Sequence, residues 1–131
     1  MKKFCLSLLC LAIMGLSTVP AWAIKPFSDA FKKKYVEGNA NAAFVEAVGA
    51  QKCNVCHMGD KSKKDRNAYG IALSKHLKKA DFTGDAKKFD PMTEEGAKAI
   101  AEGLGKAEAE KNADGKTFGD LIKAGTLPGG K

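Results

Sequence analysis

The chain has few of the residues on which many functional sites are built. Its 131 residues include two histidines, one tryptophan, two tyrosines and four cysteines. No stretch alternates apolar and polar residues for long enough to predict a β-strand. No Ser-His-Asp set, glycine-rich phosphate loop or pair of catalytic carboxylates stands out. These absences argue against a β-sheet domain, a phosphate-loop nucleotide site and the common hydrolytic centres.

Acidic residues are also fewer than basic ones, at 15 against 22, which gives a net charge of +7. The lysines are scattered along the sequence, so we do not expect nucleic-acid binding. A modest positive charge favours an acidic partner or an anionic membrane surface instead.

The first 23 residues have the pattern of a secretory signal peptide. Lys2 and Lys3 precede an apolar run over 4–16, and Ala21-Trp22-Ala23 resembles a cleavage site. A retained membrane anchor is the alternative, but the apolar run is short for a span, which needs about 20 residues. We therefore predict a mature domain over 24–131, with a charge of +5 after loss of the two lysines. It would be periplasmic or otherwise exported, without a stable membrane anchor.

Cleavage would leave Cys53 and Cys56, which His57 follows directly. This C-x-x-C-H spacing is typical of c-type haem attachment. The two thiols add to the vinyl groups on one edge of the porphyrin, and the adjacent imidazole binds the iron from the proximal side. The sequence therefore predicts one covalent haem c.

Two other uses of this thiol pair are possible. A redox-active disulfide usually follows a strand in a βαβ pattern, whereas this pair ends a helical stretch. A structural zinc site needs four ligands, and the only candidates are Cys53, Cys56, His57 and His76. Both alternatives fit less well than haem.

The apolar periodicity predicts an all-α domain. Ser28, Asn67, Asp90 and Thr117 are candidate N-caps. The predicted helices cover 27–36, 39–51, 68–79, 90–104 and 117–124, and the glycine-rich segment 125–131 is expected to fray.

The second axial ligand of the iron is less defined. His76 projects from an apolar helical stripe, where a haem would pack, but a lone histidine there is more often an ordinary buried residue. Met92 is the alternative ligand, and its other interpretation is a core methionine. An open or water-bound site is the third possibility.

The motif and its surroundings resemble small exported monohaem cytochromes c, of the kind found in planctomycete-type bacteria. The resemblance lies in CNVCHMGDKSKKDRNAYGIALSKHL and in TFGDLIKAGTLP. It implies a helical fold around one haem and transfer of single electrons, and residue by residue it extends to Cys53, Cys56 and His57. The chain departs from the common pattern in having no clear C-terminal loop that presents a methionine.

The sequence thus predicts an electron carrier rather than an enzyme. A haem-based gas sensor or peroxidase-like enzyme with an open distal site is one alternative, and a haem-free thiol-disulfide protein is another. The lysine-rich run 61–66 is interpreted as a solvated loop, with docking of an acidic redox partner as its second interpretation.

Overall fold

The structure is a computed structural model that describes residues 25–59 and 65–130. Within these residues the chain is mainly helical and has no β-sheet, which confirms the predicted all-α class. The helices are α1 (Lys25–Tyr35), α2 (Ala42–Gln51), α3 (Ala68–His76), α4 (Glu94–Glu108) and α5 (Phe118–Lys123), and short 3-10 turns cover Lys52–Val55 and Lys79–Asp81.

The predicted signal peptide, residues 1–23, lies outside the described residues, and so does the greater part of the lysine-rich run. Within 25–59 and 65–130, no helix combines the length and the apolar character needed to cross a membrane.

Side-chain caps begin four of the five helices. In each, an Asn or Thr side chain accepts a hydrogen bond from the backbone N–H three residues later, which contributes about 1 kcal/mol. The Asn41 side chain caps the Phe44 N–H, Asn67 caps Gly70, Thr93 caps Gly96 and Thr117 caps Asp120. The predictions for Asn67 and Thr117 are confirmed.

Other predicted boundaries were wrong. Helix α1 already begins at Lys25, so Ser28 lies inside it. Asp90 does not cap α4, because its Oδ1 accepts from the Met92 backbone N–H at 3.0 Å in a local turn, and Thr93 caps the helix instead. Helix α3 ends at His76, since Leu77 has an extended backbone.

Helix α4 is the centre of the domain and contacts α1, α3 and α5. An aromatic cluster packs beside it. The ring centroid of Tyr69 lies 5.9 Å from that of Phe31 and 5.4 Å from that of Phe118, both in edge-to-face geometry. Such pairs add about 1 kcal/mol each beyond the area they bury. Tyr69, on α3, is fully buried and joins α1 to α5.

The segment after α5 does not fray as predicted. Leu127 packs against the core, Pro128 is buried, and the Gly130 N–H donates to the Leu127 carbonyl at 3.2 Å. Packing of these two apolar side chains, one half-buried and one buried, holds residues 125–130 against the helices.

Candidate functional site

The cysteine motif forms a compact turn at the end of α2. Lys52 ends the helix with φ +49°, a backbone conformation that favours glycine, and the chain continues as a 3-10 turn. The backbone N–H groups of Cys56 and His57 both donate to the Cys53 carbonyl, at 3.2 and 3.1 Å. The backbones of the three motif residues are therefore linked through one carbonyl.

Asn67 ties this turn to α3. Its Nδ2 donates to the carbonyls of Asn54 and Val55, both at 3.0 Å, while its Oδ1 caps α3 through the Gly70 N–H at 2.9 Å. Its own backbone N–H donates to the Cys56 carbonyl at 3.1 Å. One residue thus satisfies three carbonyls of the motif and also starts the next helix. Sequence reasoning found the cap but missed this link to the motif.

Two glycines let other segments approach this region closely. A Cβ atom on Gly70 would collide with the Cys56 carbonyl oxygen, so only glycine lets α3 pass against the motif. A Cβ on Gly129 would collide with Asn67 Nδ2, so the segment after α5 covers Asn67. Neither role has a signal in the sequence, because both depend on contacts between distant segments.

The end of the motif makes a short antiparallel contact with the segment that precedes α3. His57 pairs with Arg66 in an isolated β-bridge, and the Met58 N–H donates to the Asp65 carbonyl at 3.1 Å. The chain therefore leaves the motif at His57 and returns beside it at Arg66.

An apolar cavity of about 330 Å³ opens beside the motif. Its walls bring together the three predicted site residues Cys53, Cys56 and His57. The other walls come from α1, the end of α2 and α3, and are formed by Lys25, Phe27, Ser28, Phe31, Lys32, Val48, Lys52, Val55 and Leu73. The size falls at the lower end of the range for small-molecule and cofactor sites.

Both cysteines are free thiols, Cys53 exposed and Cys56 half-buried. Burial raises the pKa of the Cys56 thiol to about 12, and the neighbouring Cys53 adds to the shift. Cys56 is therefore a neutral thiol at ordinary pH.

The His57 side chain presents a buried ring nitrogen. This atom, Nδ1, has no hydrogen-bond partner within the described residues. A buried polar atom left unpaired costs about 1–3 kcal/mol. His57 also lines the cavity, and neutral imidazole is a common metal ligand.

His76 lies away from this cavity. Its Nε2 is 3.1 Å from Glu110 Oε1, and Lys75 Nζ is 2.6 Å from the other oxygen of the same carboxylate. The contact joins the end of α3 to the segment after α4. The predicted distal ligand is thus engaged with a carboxylate and does not line the cavity beside the motif.

Met92 is also remote from the motif cavity. Its side chain is 86% exposed, and it lines a separate cavity of about 760 Å³ between α1 and the segment that precedes α4. The structure therefore brings together Cys53, Cys56 and His57 but neither candidate for the second axial ligand.

A half-buried polar network joins α1 to α4. The Tyr35 hydroxyl donates to Glu108 Oε1 at 2.5 Å, and Lys34 Nζ lies 2.6 Å from the same oxygen. Burial raises the pKa of the Tyr69 phenol well above its usual value, with Cys56 and Glu108 adding to the shift, so Tyr69 is neutral. No sequence pattern pointed to the Tyr35–Glu108 contact, which spans 73 positions.

Among the described residues, no three His, Cys, Asp or Glu side chains form a group that could hold a metal ion directly. A zinc site therefore has no ligand set in this part of the chain. A haem does not require one, because the porphyrin holds its iron and the protein adds only axial ligands. Comparison with protein-family models, with curated proteins and with solved structures finds no match to this chain.

Proposed function

We propose that this chain is a single-electron carrier, which holds one haem covalently through Cys53 and Cys56 with His57 as an axial ligand. The observation that carries the proposal is that these three side chains line the same apolar cavity. The motif alone would allow other uses of the thiols, but an adjacent apolar space matches the flat apolar face of a porphyrin.

The two thiols suit covalent attachment. Each S–H would add across a porphyrin vinyl group, so that a C–S bond forms and the hydrogen goes to the neighbouring vinyl carbon, with no oxidant required. Cys53 is exposed at the cavity and Cys56 is half-buried, so both sulfurs can face one edge of the porphyrin. The hydrogen bonds to the Cys53 carbonyl keep their spacing fixed.

The remaining walls complement the rest of the group. Phe27, Phe31 and Leu73 provide apolar contact for the ring, while exposed lysines among the lining residues provide cations for its two carboxylates. When bound, the haem would supply an iron that takes up and releases one electron. The protein would set its potential through the axial ligand, hydrogen bonding and burial.

Thiol-disulfide exchange is the less favoured use of the pair. A strand usually precedes such a pair, whereas here α2 leads directly into the motif. Export to the periplasm and an acidic redox partner belong to the same proposal and rest on the sequence.

The decisive experiment is to produce the full chain in a host that attaches haem and to examine the exported protein. We expect its mass to exceed that of the mature chain by one haem, and its absorption bands to stay with the chain after denaturation. A Cys53→Ser, Cys56→Ser double variant should lose the covalent colour, and His57→Ala should change the bands. A colourless wild-type protein would refute the proposal.

A further inference from the structure

Among the described residues, the α1 wall of the cavity carries no histidine, methionine, cysteine or tyrosine that could bind iron. We propose that Phe27, Ser28 and Phe31 of α1 cover the face of the haem opposite His57. The sixth position of the iron is then open to a small neutral molecule, of which carbon monoxide is the simplest probe. This inference rests on the proposed function and specifies what the same site can bind.

The lining residues limit what can reach that face. Apart from the motif itself, the described residues around the cavity contribute aliphatic and aromatic side chains, the Ser28 hydroxyl and three lysines. The lysines, Lys25, Lys32 and Lys52, are exposed. As ammonium groups they can donate hydrogen bonds to the haem carboxylates but have no lone pair to offer a metal.

The two residues predicted to close the site are held elsewhere. His76 contacts Glu110, whose carboxylate also accepts from Lys75, so moving His76 away would break a hydrogen bond between α3 and the segment after α4. Met92 lies on the rim of the other cavity. Its backbone N–H is fixed by the Asp90 carboxylate at 3.0 Å, and Thr93 starts α4 directly after it.

Met58 does not change this conclusion. It follows His57 directly, its backbone N–H is paired with Asp65, and its side chain is 44% exposed. A residue next to the proximal ligand leaves the motif on the same side of the ring and is turned toward solvent here.

Ser28 gives the proposed wall a polar group. It is half-buried on α1, between the two phenylalanines, and its hydroxyl can donate to a ligand bound in front of it. If α1 faces the iron, this hydroxyl affects the vibration of bound carbon monoxide, which responds to nearby polar groups.

The test uses the haem-loaded protein, reduced and mixed with carbon monoxide. We expect a high-spin spectrum before mixing and rapid formation of the carbon monoxide complex. The same rate is expected in His76→Gln, which can still hydrogen-bond to Glu110, and in Met92→Ala. Ser28→Ala should shift the carbon monoxide stretching band, and Ser28→Thr should restore it.

Three results would overturn the inference. A low-spin protein that binds carbon monoxide only after His76→Gln or Met92→Ala would assign that residue as the axial ligand. A protein that excludes carbon monoxide in all variants would have another protein ligand. A stretching band unchanged by Ser28→Ala would remove α1 from the iron's open face. Absence of covalent haem would instead refute the proposed function, so the two failures are distinguishable.

Discussion

At the scale of single residues, the Asn67 side chain joins the cysteine motif to α3 with both ends of its amide. Replacing it by aspartate keeps the capping oxygen but removes the two hydrogen bonds from Nδ2 to Asn54 and Val55. We expect Asn67→Asp to lower the free energy of unfolding by about 2 kcal/mol, or about 1 for each bond. Urea denaturation of the two proteins measures this difference.

Asn41 supplies the matched control, because it caps α2 in the same way. Asn41→Asp keeps that cap, so its effect should stay within about 0.5 kcal/mol, as for most surface substitutions. Equal losses in the two variants would show that the amide donors of Asn67 contribute nothing to stability.

Ionisation of Glu108 makes the stability of the domain depend on pH. Although partial burial opposes ionisation, hydrogen bonds from Lys34 and Tyr35 hold the pKa of this carboxyl below its usual 4.5. A lowered folded pKa means that the carboxylate stabilises the fold above about pH 4.5, and that this contribution is lost as the pH falls through the folded value. We expect Glu108→Gln to flatten the decline in thermal midpoint between about pH 6 and pH 3, because the titrating group is gone.

The control for this titration is Glu102→Gln, on the exposed surface of the same helix. It should leave the acid dependence close to that of the wild type. An equally steep decline in Glu108→Gln would assign the acid sensitivity to other carboxylates.

Residues whose role is local could be predicted, and those whose role depends on distant contacts could not. Cys53, Cys56 and His57 are neighbours in sequence, so their association needed no knowledge of the fold. The caps at Asn67 and Thr117 reach only three residues ahead. The prediction for Asp90 was wrong because Thr93, three positions later, competes for the same helix start, and the sequence does not rank two good caps.

At the scale of elements, the approach of α3 to the motif depends on Gly70. A methyl group added there would collide with the Cys56 backbone oxygen, which cannot rotate away as a side chain would. We expect Gly70→Ala to cost about 3 kcal/mol in unfolding free energy, at the upper end for overpacking, and to lower the yield of covalent haem. Denaturant titration and the ratio of haem absorbance to protein give the two readings.

Gly49 is the matched control, since it also lies in a helix, and a Cβ added to it would meet no described atom within 4 Å. Gly49→Ala should stabilise the protein by about 0.5–1 kcal/mol through helix propensity. If both alanines stabilised the protein, the close approach of α3 to Cys56 would be wrong.

The helices themselves were largely predictable, because apolar periodicity records which side of each helix is buried. Their arrangement was not. Tyr69, Phe31 and Phe118 meet from three helices, and nothing local to any of them specifies the other two. The position of His76 was likewise not predictable. Its apolar stripe ends at Leu77, whose side chain is buried in the core, and the His76 imidazole contacts Glu110.

At the scale of the whole molecule, the open cavity means that part of the core would be completed by the cofactor. We expect the haem-loaded protein to exceed the Cys53→Ala, Cys56→Ala variant by at least about 3 kcal/mol in unfolding free energy, because a bound group that the unfolded chain does not hold stabilises the fold. Thermal unfolding of both proteins measures the difference. Equal midpoints would show that the cavity does not need to be filled.

The wild-type chain made without haem attachment separates the two causes of that difference. If it matches the double variant, the missing haem accounts for the loss. If it matches the haem-loaded protein, the alanine substitutions themselves are responsible.

The contact between Gly129 and Asn67 can form only late in the synthesis of the chain. A chain that emerges from its N-terminus presents the thiols long before Gly129 exists to cover the asparagine that fixes them. During that interval the motif is joined to less of its final surroundings. Once the chain is complete, the segment after α5 packs over Asn67. The last turn to be synthesised thus stabilises the geometry of the cysteine motif, which is made much earlier.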